Sequence, residues 1–261
     1  MKQLTSGNLS NLSLNYNWKE TGTYGLILIR YTGVAQAGKT VALADLGNIR
    51  FTRKGEDKIN VPASILSALD NVYGGAIEAT SAAGGAFAFS IIIPTGLWFD
   101  PSNVYSITGD DRVSFNLSFP NMDAVLIVSG NATIYALPKA GQMTYIHKIL
   151  SANIIAGGAQ TVTDTISENN ISEVYLVDPA TLLTNIQLSK NGGIVYNGDV
   201  GSELAYSNWI HQLESTVTTL ALEFVTSMRV MEALGTPVSY NFQFSGAGTQ
   251  EMYYSAVELI K

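Results

Sequence analysis

The sequence contains no cysteine among its 261 residues. Disulfide bonds and thiolate-bound metal centres are therefore excluded as sources of stability. Long apolar runs are also missing: the longest is Phe87–Pro94, which Ser90 interrupts, whereas a membrane-spanning helix needs roughly 20 apolar residues. Met1–Trp18 is polar and alternating, without the apolar centre of a signal peptide, so we expect no secretory leader.

Charged residues are scarce as well. Only 13% of the residues are charged while 46% are hydrophobic, which is typical of a well-buried globular protein. The net charge of −7 argues against a protein that binds nucleic acid over its whole surface. Residues 1–60 nevertheless hold eight Lys and Arg against four acids, while residues 61–261 hold six against seventeen. Chance scatter and a basic surface that includes Arg50, Arg53, Lys54 and Lys58 both remain open.

Histidine is rare too, which leaves few candidates for catalysis. Neither of the two histidines, His147 and His211, has a carboxylate or a second histidine at ligand spacing, so no zinc site and no nucleophile–base pair can be named. Asp110-Asp111 after Gly109 predicts a turn, with a surface Ca²⁺ site as the alternative. We expect the tryptophans to anchor the packing rather than to bind sugars: Trp18, Trp98 and Trp209. The sequence therefore predicts no catalytic residue, no cofactor-binding residue and no metal ligand.

One segment does match an enzyme motif. Gly33–Thr40, GVAQAGKT, fits the pattern G-x-x-x-x-G-K-[ST] of phosphate-binding loops. In such a loop Lys39 would contact phosphate oxygens and Thr40 would contact Mg²⁺, and Val174–Asp178 has the form of the strand whose aspartate helps to hold the metal. A phosphate-binding loop must open a helix, whereas here only Val41–Leu46 precede the next strand. We therefore predict a loop between strands and keep a nucleotide hydrolase as a remote alternative.

Two stretches of the sequence are repeated in the same order. Val113–Phe119 reads VSFNLSF and Val238–Phe244 reads VSYNFQF, and in both copies the alternate residues are apolar, as in a strand with one buried face. Ile49–Gly55, IRFTRKG, likewise has a counterpart in Ile186–Gly192, IQLSKNG. We infer a duplication, with the first domain at residues 1–138 and the second at residues 139–261.

The periodicity predicts one short helix in each half, Pro62–Tyr73 and Gly201–Leu213. The strands predicted in the first half are Leu9–Trp18, Tyr24–Tyr31, Ile49–Lys54, Lys58–Val61, Phe87–Ile93, Val113–Phe119 and Ala124–Leu137. The strands predicted in the second half are Met143–Ile155, Gln160–Ser167, Glu173–Val177, Thr184–Leu188, Thr218–Val225, Val238–Phe244 and Glu251–Ile260. Many strands, without the alternation of strand and helix that a parallel sheet needs, predict an all-β sandwich class.

The first half also carries a family resemblance. Its most specific block is Leu46–Gly75, LGNIRFTRKGEDKINVPASILSALDNVYGG, preceded by TYGLILIRYTG and followed by FAFSIIIP and the paired VSFNLSF and AVLIVSGNATIYAL. This order resembles the double jelly-roll major capsid proteins of tailless icosahedral viruses, of the tectivirus and corticovirus type. The resemblance implies two tandem eight-stranded jelly rolls with one short helix per half. It also implies that GVAQAGKT merely connects two strands.

The function implied by the resemblance is structural. We expect a major capsid protein without enzymatic activity or cofactors, located in the capsid shell of a virion and folded in the host cytoplasm. Its expected partners are two further copies in a homotrimer, neighbouring capsid trimers, vertex and membrane-associated virion proteins and an internal lipid membrane, with no specific recognition of nucleic acid. A duplicated β-sandwich that binds a receptor, such as a spike protein, is the alternative among binding proteins.

Overall fold

The chain forms two compact units, Met1–His147 with Leu259–Lys261, and Lys148–Glu258. The computed structural model describes residues 1–72, 78–93, 95–96, 102–166, 168, 171–190, 192–210, 219–223 and 238–260. Among these residues, no helix is long and apolar enough to cross a membrane. The domain boundary between residues 138 and 139 stays a prediction.

The first unit is built mainly from antiparallel strands. They are β1 (Lys2–Asn8), β2 (Ser13–Trp18), β3 (Gly22–Ala35), β4 (Asn48–Arg53), β5 (Glu56–Pro62), β6 (Ala79–Ser81), β7 (Ala86–Ile93), β8 (Tyr105–Ile107), β9 (Val113–Ser118) and β10 (Ile127–Pro138). One sheet has the order β1-β10-β3-β7-β6, with β8 paired to the start of β3, and the other has the order β2-β9-β4-β5. Helix α1 (Ala63–Val72) follows β5.

The second unit has the same kinds of element. Its strands are β11 (Tyr145–Ala156), β12 (Thr161–Ile166), β13 (Ile171–Val177), β14 (Leu183–Lys190), β15 (Gly193–Asp199), β16 (Thr219–Glu223), β17 (Val238–Phe244) and β18 (Gly248–Leu259). One sheet has the order β12-β17-β14-β15, and the other has the order β11-β18-β13-β16. Helix α2 (Val200–Ile210) follows β15.

The two units share one topology. When the eight main strands of each unit are numbered in chain order, one sheet reads 1-8-3-6 and the other reads 2-7-4-5, in both units. This is the jelly roll, in which two Greek keys form two sheets. β6 and β8 are additions to the first unit, and each described helix lies between the fifth and sixth main strands. The predicted fold class of two tandem jelly rolls is therefore confirmed.

The sequence repeat coincides with an identical strand register. Ile49 in β4 lies opposite Leu117 in β9, and Ile186 in β14 lies opposite Phe242 in β17. The repeat aligns Ile49 with Ile186 and Leu117 with Phe242. Because a slip of one residue would move every side chain to the other face of the sheet, equal registers give equal buried faces. The predicted duplication is thus present in the pairing of the strands.

Both copies of the repeated strand turn their aromatic rings into a core. Phe115 and Phe119 are 1% and 0% exposed, and Tyr240 and Phe244 are 6% and 2% exposed. Asn116, on the other face of β9, is exposed. Burying rings of this size contributes about 1.5–3 kcal/mol each to the free energy of folding. The predicted assignment of the two faces is confirmed.

The predicted strand Leu9–Trp18 is wrong at its start. Leu9–Asn11 form a 3₁₀ turn, and Leu12 follows with a left-handed φ of 61° before β2 begins. The cause is local, because the Asn8 side chain accepts a hydrogen bond from the backbone N–H of Ser10 at 2.8 Å. Such a bond satisfies the backbone without a partner strand and favours a turn.

Four strands were not predicted: β1, β6, β8 and β15. β6 and β8 contain three residues each, which is too short for a period of two to be recognised. Helix α2 begins before the predicted Gly201, because Asp199 caps it by accepting a hydrogen bond from the Ser202 N–H at 3.0 Å. The predicted helix ends at Tyr73 and Leu213 lie outside the described residues.

Candidate functional site

The phosphate-loop motif begins inside a strand. Gly33 lies in β3, and a Cβ atom on it would collide with the carbonyl oxygen of Ser129 in β10. The close approach of two strands thus explains why this residue is glycine. The segment after the motif forms a 3₁₀ turn at Leu43–Leu46 and then enters β4. This described segment therefore offers no α-helix N-terminus for phosphate groups.

Three backbone N–H groups of the motif already have partners within the protein. Ala35 donates to the carbonyl oxygen of Gly85, Gln36 donates to that of Leu126, and Lys39 donates to that of Gln36, each at 2.9 Å. A phosphate-binding loop holds its ligand with backbone N–H groups that point at the phosphate oxygens. Because these three donors bind the protein itself, the prediction of a loop between strands is confirmed.

The segment proposed to supply the metal-binding aspartate, Val174–Asp178, also lies in the wrong kind of sheet for nucleotide binding. β13, which contains Val174, pairs antiparallel with β16 and with β18. Asp178 follows this strand with a left-handed φ of 46° and leads into a 3₁₀ turn at Pro179–Thr181. The aspartate strand of a phosphate-loop enzyme belongs to a parallel sheet flanked by helices. An antiparallel jelly-roll strand does not provide that arrangement.

Asp111, proposed above as a turn residue or calcium ligand, forms a buried ion pair with Arg53. Nε and Nη2 of Arg53 donate to the two carboxylate oxygens of Asp111 at 3.0 and 2.8 Å, and the two side chains are 8% and 1% exposed. The backbone N–H and the hydroxyl of Thr108 donate to the same carboxylate at 2.8 and 2.9 Å. Burial would raise the pKa of Asp111, but the hydrogen bonds from Thr108 and Arg53 outweigh it and the pKa is lowered. The pair therefore ties the loop before β9 to the β4–β5 hairpin.

The predicted basic segment is largely neutralised within its own hairpin. Arg50 Nε lies 2.7 Å from Asp57 Oδ1, and Lys58 Nζ lies 2.8 Å from Glu56 Oε2. With Arg53 also bound to a carboxylate, three of the four cations named from the sequence lie 2.7–2.8 Å from an acidic partner. The turn residue Lys54 is 69% exposed, and its Nζ lies farther from its acidic partner, 3.8 Å from Asp111 Oδ1.

A histidine and a tryptophan that the structure describes, His147 and Trp18, are both buried. His147 is 6% exposed in β11, and burial lowers its pKa to about 4. Trp18 is 3% exposed and packs against Tyr24 with ring centroids 4.7 Å apart, as expected for a packing anchor. His211 and Trp98 lie outside the described residues. In the part of the chain that the structure describes, no three histidine or acidic side chains are placed to hold a metal ion.

Two adjoining grooves mark one end of the first unit, where β2, β4 and β10 end and β9 begins. The first groove is lined by Lys2, Lys19, Glu20 and Lys139, together with backbone of the β2–β3 connection. The second groove is lined by Lys19 again, by Arg112 and by Asp111, with the polar side chains Asn17, Thr52 and Ser114. The sequence does not reveal these grooves, because their cations come from distant segments and form no motif.

No protein family and no curated protein matches the sequence, but solved structures match nearly all of it. One is the major capsid protein of Sulfolobus turreted icosahedral virus, with 10% identity, a TM-score of 0.74 and coverage of 99% of this chain and 96% of that chain. Another is the major capsid protein P2 from bacteriophage PM2, with 10% identity, a TM-score of 0.71 and coverage of 100% and 96%. The PBCV-1 virus capsid matches with 7% identity, a TM-score of 0.64 and coverage of 98% and 92%.

At such identities the similarity shows the fold. Both jelly rolls and their order along the chain are matched, since the alignments extend over almost the full length on both sides. The chain therefore has the double jelly-roll fold of the major capsid proteins of icosahedral viruses.

Proposed function

We propose that this chain is a major capsid protein, a structural subunit of an icosahedral virion shell with no enzymatic activity. The observation that carries the proposal is the match of the entire double jelly roll to major capsid proteins, over 99–100% of this chain in two cases. The phosphate-loop motif leads into a 3₁₀ turn and a strand instead of an α-helix, and three of its N–H groups bind the protein itself, which argues against the enzymatic alternative. The duplicated strand register supplies two similar building blocks in one chain.

The duplication has a direct use in a shell. Three copies around a threefold axis present six similar jelly rolls in a near-hexagonal ring, which can occupy the six-coordinated positions of an icosahedral lattice. Closure by a threefold axis requires a heterologous interface, in which the first jelly roll of one subunit meets the second jelly roll of the next. We therefore propose a homotrimer, with interfaces of roughly 2,000 Å² or more, as in obligate assemblies.

Further partners follow from the same proposal. Neighbouring trimers would complete the shell, and vertex proteins would occupy its fivefold positions. An internal lipid membrane with its associated virion proteins would lie beneath the shell. The two jelly rolls would act as domains at residues 1–138 and 139–261. Specific nucleic-acid recognition has no part in this function.

The oligomeric state tests the proposal. Light scattering coupled to size exclusion should give a trimer of about 84 kDa, three copies of the 27.9 kDa chain. An obligate interface should keep the trimer intact on dilution to nanomolar concentration. Negative-stain images of the native assembly should show a shell lattice. A monomer or an even-numbered oligomer would overturn the capsid proposal and favour the receptor-binding spike.

A further inference from the structure

Exposed cations gather at the end of the first unit that contains the two grooves. Lys2, Lys19, Arg112 and Lys139 line these grooves, and all four residues are exposed. Lys54, 69% exposed, lies beside the second groove at the turn of the β4–β5 hairpin. The five residues come from five segments: the start of β1, the end of β2, the hairpin, the loop before β9 and the end of β10. The topology alone brings them together, and we call this surface the cationic end.

Few of the described acids at this end offset these charges. Asp111 is 1% exposed and bound by Arg53, and the acids of the hairpin are matched by its own cations. Glu20 remains, 39% exposed and 2.6 Å from Lys2, together with the exposed Asp110. With Glu56, whose side chain is 69% exposed, these make three accessible carboxylates against five exposed cations, a net charge of +2 among the exposed groups in a chain whose total is −7.

The opposite end of the same unit has a different surface. Leu12, Val34, Val125 and Val128 are 42%, 40%, 68% and 61% exposed there. Its exposed cation is Lys39, in the loop after β3. The positive charge is therefore concentrated at one end of the jelly roll and is not a general property of its surface.

We propose that the cationic end docks on the phosphate groups of an anionic phospholipid surface. Four of its five cations are lysines, whose compact ammonium groups act as point charges toward phosphate rather than as planar forks that read bases. The aromatic rings at the grooves, Trp18 and Tyr24, are 3% and 4% exposed and offer no stacking platform for nucleic-acid bases. This inference rests on the proposed shell around a membrane and names the surface that would face it.

Vesicle binding tests the inference on the full-length protein. The protein should co-sediment with phosphatidylcholine vesicles that contain phosphatidylglycerol and not with pure phosphatidylcholine, and added salt should weaken the binding. Replacing Lys19, which lines both grooves, by Gln should weaken binding about fivefold per copy, which corresponds to about 1 kcal/mol. Replacing Lys2, Lys19, Arg112 and Lys139 together by Gln should abolish it.

The matched control is Lys39→Gln, which removes the same charge from the opposite end. The Lys39→Gln variant should bind vesicles as the original protein does. The comparison of Lys19→Gln with Lys39→Gln therefore tests the inference even if the variant with four replacements fails to fold. Equal losses in the two single variants, or tighter binding to duplex DNA than to vesicles, would overturn the inference. A trimer that does not bind anionic vesicles would overturn the inference and leave the capsid proposal standing. A monomer that binds them through Lys19 would overturn the capsid proposal and leave only the lipid-binding surface.

Discussion

The buried histidine of β11, His147, makes the stability of the protein sensitive to mild acid. His147 is 6% exposed, and burial lowers the pKa of its imidazole from 6.5 to about 4 because the interior disfavours the charged form. The unfolded chain exposes the same imidazole to water, where it takes up a proton near its ordinary pKa of about 6.5. The folded and unfolded chains therefore bind different numbers of protons between pH 6.5 and about 4.

The sign and the size of the effect follow from this difference. Above about pH 6.5 the imidazole is neutral in both the folded and the unfolded chain, so His147 does not make the free energy of unfolding depend on pH. As the pH falls below that value, only the unfolded chain gains the proton, and the free energy of unfolding decreases. At about 1.36 kcal/mol for each unit of pKa difference, the loss reaches about 2 kcal/mol near pH 5 and about 3 kcal/mol near pH 4.

Urea unfolding at fixed protein concentration, from neutral pH down to about pH 5, measures this loss. His147→Gln should remove about 2 kcal/mol of the pH dependence, whereas His211→Gln provides a variant with the other histidine changed. The imidazole carbon resonances of the folded protein give a direct readout that does not require a stable variant. His147 should stay neutral at pH 5, and a native titration near pH 6.5 would refute the argument from burial.

Three further predictions concern side chains already described. Phe244→Ala should lower the free energy of unfolding by about 3–5 kcal/mol, counting the cavity, and Asn241→Ala by about 1 kcal/mol or less; chemical denaturation that gave the reverse order would place the strand one residue out of register. In the same assay Arg53→Met, which leaves a carboxylate buried without its cation, should cost about 3–5 kcal/mol, and Arg50→Met in an exposed pair less than about 1 kcal/mol. Mg-ATP should not raise the melting temperature, whereas a site filled at a hundred times its dissociation constant would stabilise by about 2.7 kcal/mol and lose this with Lys39→Ala.

The sheets were predictable because their signal is local and repeated. An alternation of apolar and polar residues reports one buried face, and Val113–Phe119 and Val238–Phe244 carry it over a full strand. The same alternation identified Phe115 and Phe244 as core residues, which are 1% and 2% exposed. What alternation lacks is information about the neighbouring strand. The pairing of β9 with both β2 and β4 became visible only in the structure.

The side-chain contacts at the ends of the sheets were not predictable, because their partners are distant in sequence. Arg53 was counted as a surface cation and Asp111 as a turn residue, yet 58 positions separate the two members of this buried pair. The groove lysines likewise come from separate connections, and each one alone resembles an ordinary solvated residue. The strand predicted over Leu9–Asn11 was wrong because of a contact that is close in sequence. The hydrogen bond from the Ser10 N–H to the Asn8 side chain favours a turn, although the residues alternate as in a strand.

The two jelly rolls differ in charge at two of their strand ends. Within the sheets the repeat keeps the buried positions apolar, and the registers of β4 with β9 and of β14 with β17 agree. Beyond the strands, the same alignment sets Lys54 against Asn191 and Arg112 against Pro237. Core positions are held by close packing, which penalises a change of volume, whereas exposed connections are free to change their charge. Of the two copies, only the first therefore carries these two cations, whereas the cation Arg53 is matched by Lys190 in the second.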